Sequence, residues 1–309
     1  MTAPPEQVAQ QSGPGLSIII PASNEAAWIA RALAALAASD PVPDGPVQVI
    51  VVANGCSDDT AARADAAAPA LRARGWEFSL LERAEGGKPA ALDAGDGAAT
   101  QGSRLYLDAD VTVSPPLLAQ VMTALHTDAP RYVGATPRIA SARSAATRAY
   151  ARFWAQVPFN RTAAPGYGLF AVNPAGRARW QGWPRIISDD TFARLQFTPD
   201  ERLQVPAAYD WPLPEGLGPL IRVRAAGPWR GADRAALSGA DGTRSQAARR
   251  AGADDPGRAP WLSGLCAGGA GGETGRGRQR LGAGPLSKAV LIKTGHRFAC
   301  AADLFIRFR

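Results

Sequence analysis

Short apolar runs, the first two of them β-branched, recur through the first third of the chain, and each stops at a small polar cluster; no other feature constrains the fold as strongly. Residues 16–20 (Leu-Ser-Ile-Ile-Ile) end at Pro21 and the cluster Ser23-Asn24-Glu25. Asn24 is placed to cap a helix in which Ile29, Leu33 and Leu36 fall at i, i+4 and i+7, one face of a helical period. Residues 47–52 end at Asn54-Gly55 and are followed by Ser57-Asp58-Asp59-Thr60 and an Ala-rich helix. Residues 78–81 lead through Gly86-Gly87-Lys88 into a helix near Pro89, and residues 104–107 run into Asp108-Ala109-Asp110. Strands this apolar are buried on both faces, and strands separated by helices pair in parallel. The expected class is therefore α/β, a mostly parallel sheet sandwiched by helices. Ligands of such sheets bind at the strands' carboxyl ends. All four polar clusters lie at such ends, and loops on one edge of one sheet can close round a single nucleotide.

The last cluster carries the most chemistry. Side chains alternate along a strand, so Asp108 and Asp110 would face the same way if the strand continued. Two neighbouring carboxylates repel unless a cation lies between them. Hard oxygen ligands of this kind suit Mg2+ or Mn2+, which keep several waters and take further ligands from substrate phosphates. The bland alternative is a solvated Asx turn closing the strand.

With 309 residues, 46% of them apolar, the chain can bury a substantial core. No run approaches the roughly 18 apolar residues of a membrane span, and the first residues lack the basic-then-apolar pattern of a signal peptide. Those observations point to the cytoplasm. Cys56, Cys266 and Cys300 have neither metal-ligand spacing nor a disulfide framework. The net charge of +7 is unevenly placed: residues 225–285 hold nine Arg against five acids, which leaves 25 basic and 22 acidic residues elsewhere. No basic stripe interleaved with aromatics is visible, so a nucleic-acid partner is not expected. His126 and His296 have no acidic or nucleophilic partner pattern and stay outside the chemistry.

Together, Ile-Ile-Ile-Pro-Ala-Ser-Asn-Glu (18–25), Val-Ile-Val-Val-Ala-Asn-Gly-Cys-Ser-Asp-Asp-Thr (49–60), Gly-Gly-Lys-Pro-Ala-Ala-Leu-Asp-Ala-Gly (86–95) and Leu-Asp-Ala-Asp (107–110) resemble family 2 glycosyltransferases of the GT-A, Rossmann-like fold. The likeness runs on through residues 166–172 and 187–195, covering roughly 16–210. It implies an inverting, metal-assisted transferase that moves a sugar from a nucleoside diphosphate sugar, a UDP-sugar first, to the hydroxyl of a glycan, lipid-linked or small-molecule acceptor. Under it, Pro21, Ala22, Asn24 and Glu25 would flank the nucleoside, with Glu25 near the ribose or base. Asn54 stands where the family usually has an Asp reading the uracil edge, and Ala53 replaces the preceding Asp, so base preference stays open. Asp58 either matches the family's later Asp in that loop or caps the next helix. Lys88 would sit beside the diphosphate, the alternative being a solvated lysine. Asp110 would bind the metal directly, with Asp108 on the ribose or a metal-bound water. Asp190 aligns with the residue usually assigned as general base and Asp189 would orient it, although two acids also suit a helix N-terminus. Gly166, Tyr167 and Gly168 would form part of the acceptor floor, and Trp183 would be either a sugar-stacking platform or a core residue.

Two enzyme-free or different-enzyme readings compete: a nucleotide-binding protein made catalytically defective by a damaged C-terminal region, and a sugar-1-phosphate nucleotidyltransferase. The latter should open with a Gly-rich, Arg-containing loop where this chain has Pro-Ala-Ser-Asn-Glu. Residues 1–15, rich in Pro, Gln and Gly, are expected to be a disordered lead to a domain at 16–224. From about residue 225 the sequence changes character. Residues 225–285 contain no Val, Ile, Phe, Tyr or Lys, too little apolar area to offset chain entropy. Residues 225–309 are therefore expected to form a poorly ordered tail, of a composition that out-of-frame translation of a GC-rich gene would give. The family's Gln-x-x-Arg-Trp motif is not found there. The terminal stretch, with Phe298, Leu304, Phe305, Ile306 and Phe308 among arginines, is a candidate for peripheral contact with the inner face of the plasma membrane.

Overall fold

A computed structural model of the chain describes residues 13–140, 142–156, 164–185 and 188–225. The expectations for the N-terminal lead up to residue 12 and for the tail beyond residue 225, with Cys266, His296, Cys300 and the terminal apolar stretch, lie outside the described residues.

The first half follows the alternation read from the sequence. Strand β1 (Gly13–Ala22) is followed by helix α1 (Ile29–Ala37), β2 (Val47–Asn54), α2 (Thr60–Arg72), β3 (Glu77–Arg83), α3 (Lys88–Ala98) and β4 (Gln101–Leu107). The second half adds β5 (Thr112–Val113), α4 (Leu117–Leu125), β6 (Tyr132–Ile139), α5 (Ala145–Ala155), β7 (Leu169–Val172), α6 (Pro174–Arg177), α7 (Asp189–Leu195), a 3-10 turn (Pro199–Glu201), β8 (Arg202–Trp211) and α8 (Leu217–Ala225). All eight strands join one sheet in the order β3-β2-β1-β4-β7-β6-β8-β5.

Parallel pairing holds for β3-β2, β2-β1, β1-β4 and β6-β8, while β4-β7, β7-β6 and β8-β5 are antiparallel. The sheet is thus mixed, and the four strands β3-β2-β1-β4 of its main parallel part are the ones that the apolar runs announced. Alternate residues of each central strand feed two cores. Ile18, Ile20, Val49, Val51, Leu105 and Leu107 pack with Ile29, Leu33 and Leu36 of α1 and with Ala64, Ala68 and Leu71 of α2. Ile19, Ile50, Val52 and Tyr106 face the other way, onto Ala91 and Leu92 of α3 and an aromatic group that includes Phe170, Trp183 and Phe197. Burial on both faces is why these strands read as continuous apolar runs.

Two local expectations are corrected. β1 begins before the apolar run and continues through Pro21 to Ala22. Its ladder to β4 stops at the Ile19–Tyr106 pair, so beyond that point β1 has a neighbour on one side only and a proline costs little. Asn24 does not cap α1, which starts five residues later with Trp28 at the cap position. Asn24 instead adopts φ +57°, a conformation that Asn tolerates better than most residues, and ties two loops together as described below.

The strand order places the crevice. From β1 the chain moves outward to β2 and β3, then returns through α3 to β4 on the opposite side of β1. The carboxyl ends of β1 and β4 therefore flank a topological switch point, where open α/β sheets bind ligands. α3 crosses β1 closely at Gly95, where a Cβ would lie 2.4 Å from Ile19 Cγ2.

Candidate active site

The β1 and β2 loops are stapled together at the crevice. Asn24 Oδ1 accepts from the backbone N–H and the hydroxyl of Ser57 at 2.8 and 3.1 Å. Asp58 accepts from the Ala26 N–H at 3.1 Å through one oxygen and from the Thr60 N–H at 3.0 Å through the other, while the Thr60 hydroxyl in turn accepts from the Glu25 N–H at 2.8 Å. Asp58 thus ties the start of α2 to the β1 loop. Asn54 is buried, and its amide is engaged on backbone groups: it donates to the carbonyls of Ala22 (2.9 Å) and Val52 (3.3 Å) and accepts from the Gly87 N–H (3.0 Å). That last bond draws the loop preceding α3 over the carboxyl end of β2. Gly87 takes φ +143° there, reachable at little cost by glycine alone.

These loops, with the Asp108–Asp110 turn, enclose a cleft of about 370 Å³ lined by Pro21, Ser23, Glu25, Asn54, Lys88 and Asp110 among others. β4 ends at Leu107, so the acidic pair lies in a turn rather than on the strand. The Asp108 N–H donates to the Gly168 carbonyl (2.9 Å) and the Asp108 carbonyl accepts from the Val111 N–H (3.1 Å), which fixes that turn against the loop before β7.

Lys88 joins the two acidic centres. Its Nζ lies 2.7 Å from Asp108 Oδ1 and 3.0 Å from Asp189 Oδ1. Asp189 and Asp190 are both buried at the first turn of α7, and Asp190 accepts from the Thr191 N–H at 2.7 Å. Gly166 and Gly168 border the narrow gap beneath this ion-paired group, together with Lys88, Asp108, Asp189 and Asp190. Two of the expected acceptor residues turn elsewhere. The Tyr167 side chain is buried against Trp154 and Trp211. Trp183 is a core residue: it packs on Tyr106 and Phe170, and its indole N–H donates to Asp96 at 2.8 Å, so the stacking-platform reading is withdrawn.

The charge balance in the cleft is strongly negative. Burial raises the carboxyl pKa of Asp110, and the neighbouring Asp108 and Glu25 charges raise it further. Glu25 is raised by burial and by Asp108 and Asp58. Asp189 is also raised by burial, against the opposing pull of Lys88. Burial alone would lower the Lys88 pKa, but the Asp108 and Asp189 carboxylates together outweigh it and raise it. Such crowding of carboxylates is relieved by a cation. Among the described residues no three His, Cys, Asp or Glu side chains converge as an all-protein metal cage. The residues present therefore fit a hard divalent ion held by one or two carboxylates and completed by water and phosphate oxygens, the mode suited to Mg2+ or Mn2+.

Residues 17–179, more than half of the 309, match the family described as Glycosyl transferase family 2. The chain belongs to glycosyl transferase family 2. No curated protein matches it in sequence. Among solved structures it is similar to the mannosyltransferase PcManGT from Pyrobaculum calidifontis in complex with GDP-Man and Mn2+, at TM-score 0.53 and 19% identity over 70% of this chain and 62% of that one. It is also similar to S. aureus TarS 1-349 in complex with UDP (TM-score 0.49, 15% identity, 64% of this chain and 60% of that one). A third is glucosyl-3-phosphoglycerate synthase from Mycobacterium tuberculosis in complex with Mn2+, UDP-Glc and phosphoglyceric acid (TM-score 0.44, 20% identity, 65% and 72%). The chain spans about three fifths of the length of the first two. The likeness to PcManGT bears on the fold, and the family 2 domain here has the GT-A, Rossmann-like architecture.

The family 2 match takes in the loops after β1, β2, β3 and β4 and the Gly166–Gly168 segment but ends before Asp189 and Asp190. Those two acids reach the site through the fold: α7 packs Ala193 into the aromatic core, and Lys88 links Asp189 to Asp108. Sequence reasoning missed a second cleft of about 590 Å³ on the far side of Glu25 and Asp110, reached by Trp28, Arg143 and Glu215. Its walls come from four distant segments, and none carries a local pattern that would have marked it.

Proposed function

We propose that this family 2 domain transfers a sugar from a nucleoside diphosphate sugar to an acceptor hydroxyl, with inversion at the anomeric carbon. The observation that carries the reading is the meeting of Glu25, Lys88, Asp108 and Asp110 with the buried Asp189-Asp190 pair at one switch point of the sheet. Membership of glycosyl transferase family 2 and the GDP-Man complex of the similar PcManGT support a nucleotide-sugar donor. A UDP-sugar is the first to test, although Asn54 spends its amide on backbone groups and adds no charge for reading a base.

In this reading Asp110, assisted by Asp108, holds the divalent cation. A bound Mg2+ or Mn2+ would neutralise charge developing on the departing diphosphate, and the Mn2+ bound in the similar PcManGT supports a divalent ion. Pro21, Ala22, Asn24, Glu25 and Asp58 shape the nucleoside side of the cleft. Lys88, anchored by Asp108, presents its ammonium toward the diphosphate. On the acceptor side Gly166 and Gly168 leave room beside Asp190. Asp190 takes the proton from the attacking hydroxyl as general base, because an alcohol is a poor nucleophile until that proton leaves. Asp189, held by Lys88, keeps α7 and Asp190 in position. The acceptor is a glycan, a lipid-linked species or a small molecule.

The test is nucleoside diphosphate release from a panel of nucleotide sugars, with and without chelator, alongside thermal shift with UDP and GDP in the presence of Mn2+. A ligand that binds only the folded protein raises its melting temperature. Metal-dependent release is expected from at least one donor. Absence of both release and any nucleotide-dependent shift would overturn the reading.

A further inference from the structure

Four large apolar side chains stand well exposed among the described residues, and three of them, Phe153 at 49%, Leu217 at 64% and Ile221 at 56%, lie on α5 and α8. On α5 the exposed Arg148 and Arg152 are one turn apart and share the outward face with Phe153. Arg143, just before the helix, is also exposed. On α8 Leu217 and Ile221 are likewise one turn apart. No acidic residue occurs in 142–156 or in 216–225. Between the two helices Glu215 accepts from the N–H groups of Arg143 (2.8 Å) and Ser144 (3.0 Å), and with Glu25, Asp110 and Asp210 it lines the adjoining cleft.

The two helices are held as a unit. The Thr147 hydroxyl donates to the Pro214 carbonyl at 3.0 Å, and the Gly216 N–H donates to the Thr147 and Ser144 hydroxyls at 2.9 and 3.2 Å. Trp154 is fully buried beneath α5 and Leu220 is buried beneath α8. The inner faces are therefore satisfied by the domain, and the exposed positions of the two helices combine apolar residues with arginines, of which Arg148 also donates to the carbonyls of Ala142 and Arg143.

We propose that the paired α5–α8 face docks the protein on an anionic lipid surface. Partly exposed Phe, Leu and Ile on an otherwise basic helical surface are the composition that enters a headgroup layer, and each arginine near an anionic leaflet strengthens the attachment. A second copy of this chain fits less well, since a two-fold contact would bring the same arginines against each other. Arg143 and Glu215 also wall the 590 Å³ cleft that shares Glu25 and Asp110 with the nucleotide cleft. Docking through α5 and α8 would set that cleft at headgroup level and favour a lipid-borne acceptor, a consequence that rests on the proposed transfer reaction; the docking itself does not.

The experiment is co-sedimentation of the full chain with phosphatidylcholine vesicles and with mixed phosphatidylcholine–phosphatidylglycerol vesicles, at low and high salt. Binding is expected to the mixed vesicles only and to weaken with salt. Arg148→Gln with Arg152→Gln should lower the partition about 30-fold, taking roughly fivefold for each arginine near the surface. Leu217→Ser with Ile221→Ser, and Phe153→Ser, should each lower it while the melting temperature and nucleotide affinity stay at wild-type values. No binding by the wild type, or binding untouched by all three variants, overturns the proposal. So does sedimentation velocity showing a dimer that these substitutions dissolve while the protein ignores vesicles.

Discussion

The Lys88 ammonium lies 3.0 Å from Asp189 Oδ1, a contact that joins the first turn of α3 to the first turn of α7 across ~100 residues of chain. The same ammonium holds Asp108 at 2.7 Å. Removing it leaves Asp189, a buried carboxylate, facing Asp190 without its nearest cation, an arrangement far costlier than losing an exposed pair. Lys88→Met should therefore lower the melting temperature, and Asp189→Asn in the same chain should restore part of the loss. A double-mutant cycle measures the coupling; strictly additive effects would show that the contact carries no energy.

Asp110 bears on metal use. Calorimetric titration with a nucleoside diphosphate and Mn2+ should give metal-dependent binding for the wild type and a loss of roughly tenfold or more for Asp110→Asn. Equal affinities for both proteins, with and without chelator, would remove Asp110 from the metal site.

Asp190 is expected to act on turnover rather than on donor binding. Asp190→Asn should reduce transfer by about 10^2-fold or more, with diphosphate affinity nearly unchanged. If Asp189→Asn gives that pattern and Asp190→Asn does not, the roles within the pair are reversed.

The convergence of the cleft's polar groups on one sheet edge was legible because those groups follow strands. Glu25, Asn54, Lys88 and Asp108 each follow an apolar run by a few residues, so knowing the strand meant knowing the edge on which the side chain would lie. What each side chain does there was less legible. Asn54 looks like a base-reading group in sequence, yet its amide is consumed by Ala22, Val52 and Gly87; Asn24 looks like a helix cap, yet it bonds Ser57 across two loops. Both assignments depend on partners more than thirty residues away, which no local pattern encodes. Trp183 shows the same limit, since only the packing of Tyr106, Phe170 and Asp96 decides that it belongs to the core. The antiparallel strands β7 and β5 are four and two residues long and left no periodic signal.

Gly95 tests how tightly α3, and with it Lys88, is seated on the sheet. A Cβ at this position would lie 2.4 Å from Ile19 Cγ2, in the middle of a fully buried strand. Ala has the better helix propensity, worth up to about 1 kcal/mol over Gly, but a clash with a β-branched core residue costs about 1–3 kcal/mol. Gly95→Ala is expected to be net destabilising in urea unfolding, and Ile19→Ala should cost less in that background than in the wild type, because it removes the Cγ2 methyl that the new Cβ meets. A stabilised Gly95→Ala protein would show that α3 can shift away from β1 at no cost.

The acid limb of stability should report on Glu201. Its carboxylate accepts two hydrogen bonds from the Arg179 guanidinium and one from the Thr198 N–H at 2.7 Å, and the Arg179 bonds above all hold its pKa down, from 4.5 to about 2. Arg179 also donates to the Gln196 carbonyl at the end of α7, so this pair braces the helix that carries Asp189 and Asp190. A group whose pKa is depressed by folding stabilises the protein above its unfolded value and loses that contribution as pH falls through its folded value. The contribution from Glu201 should thus be complete at neutral pH and fade between about pH 4.5 and pH 2. Glu201→Gln should lower the melting temperature at pH 7 and make the fall below pH 4.5 shallower, so that the two proteins converge toward the acid end. If the melting difference between wild type and Glu201→Gln stays constant across that window, the Arg179–Glu201 pair does not contribute through its charge.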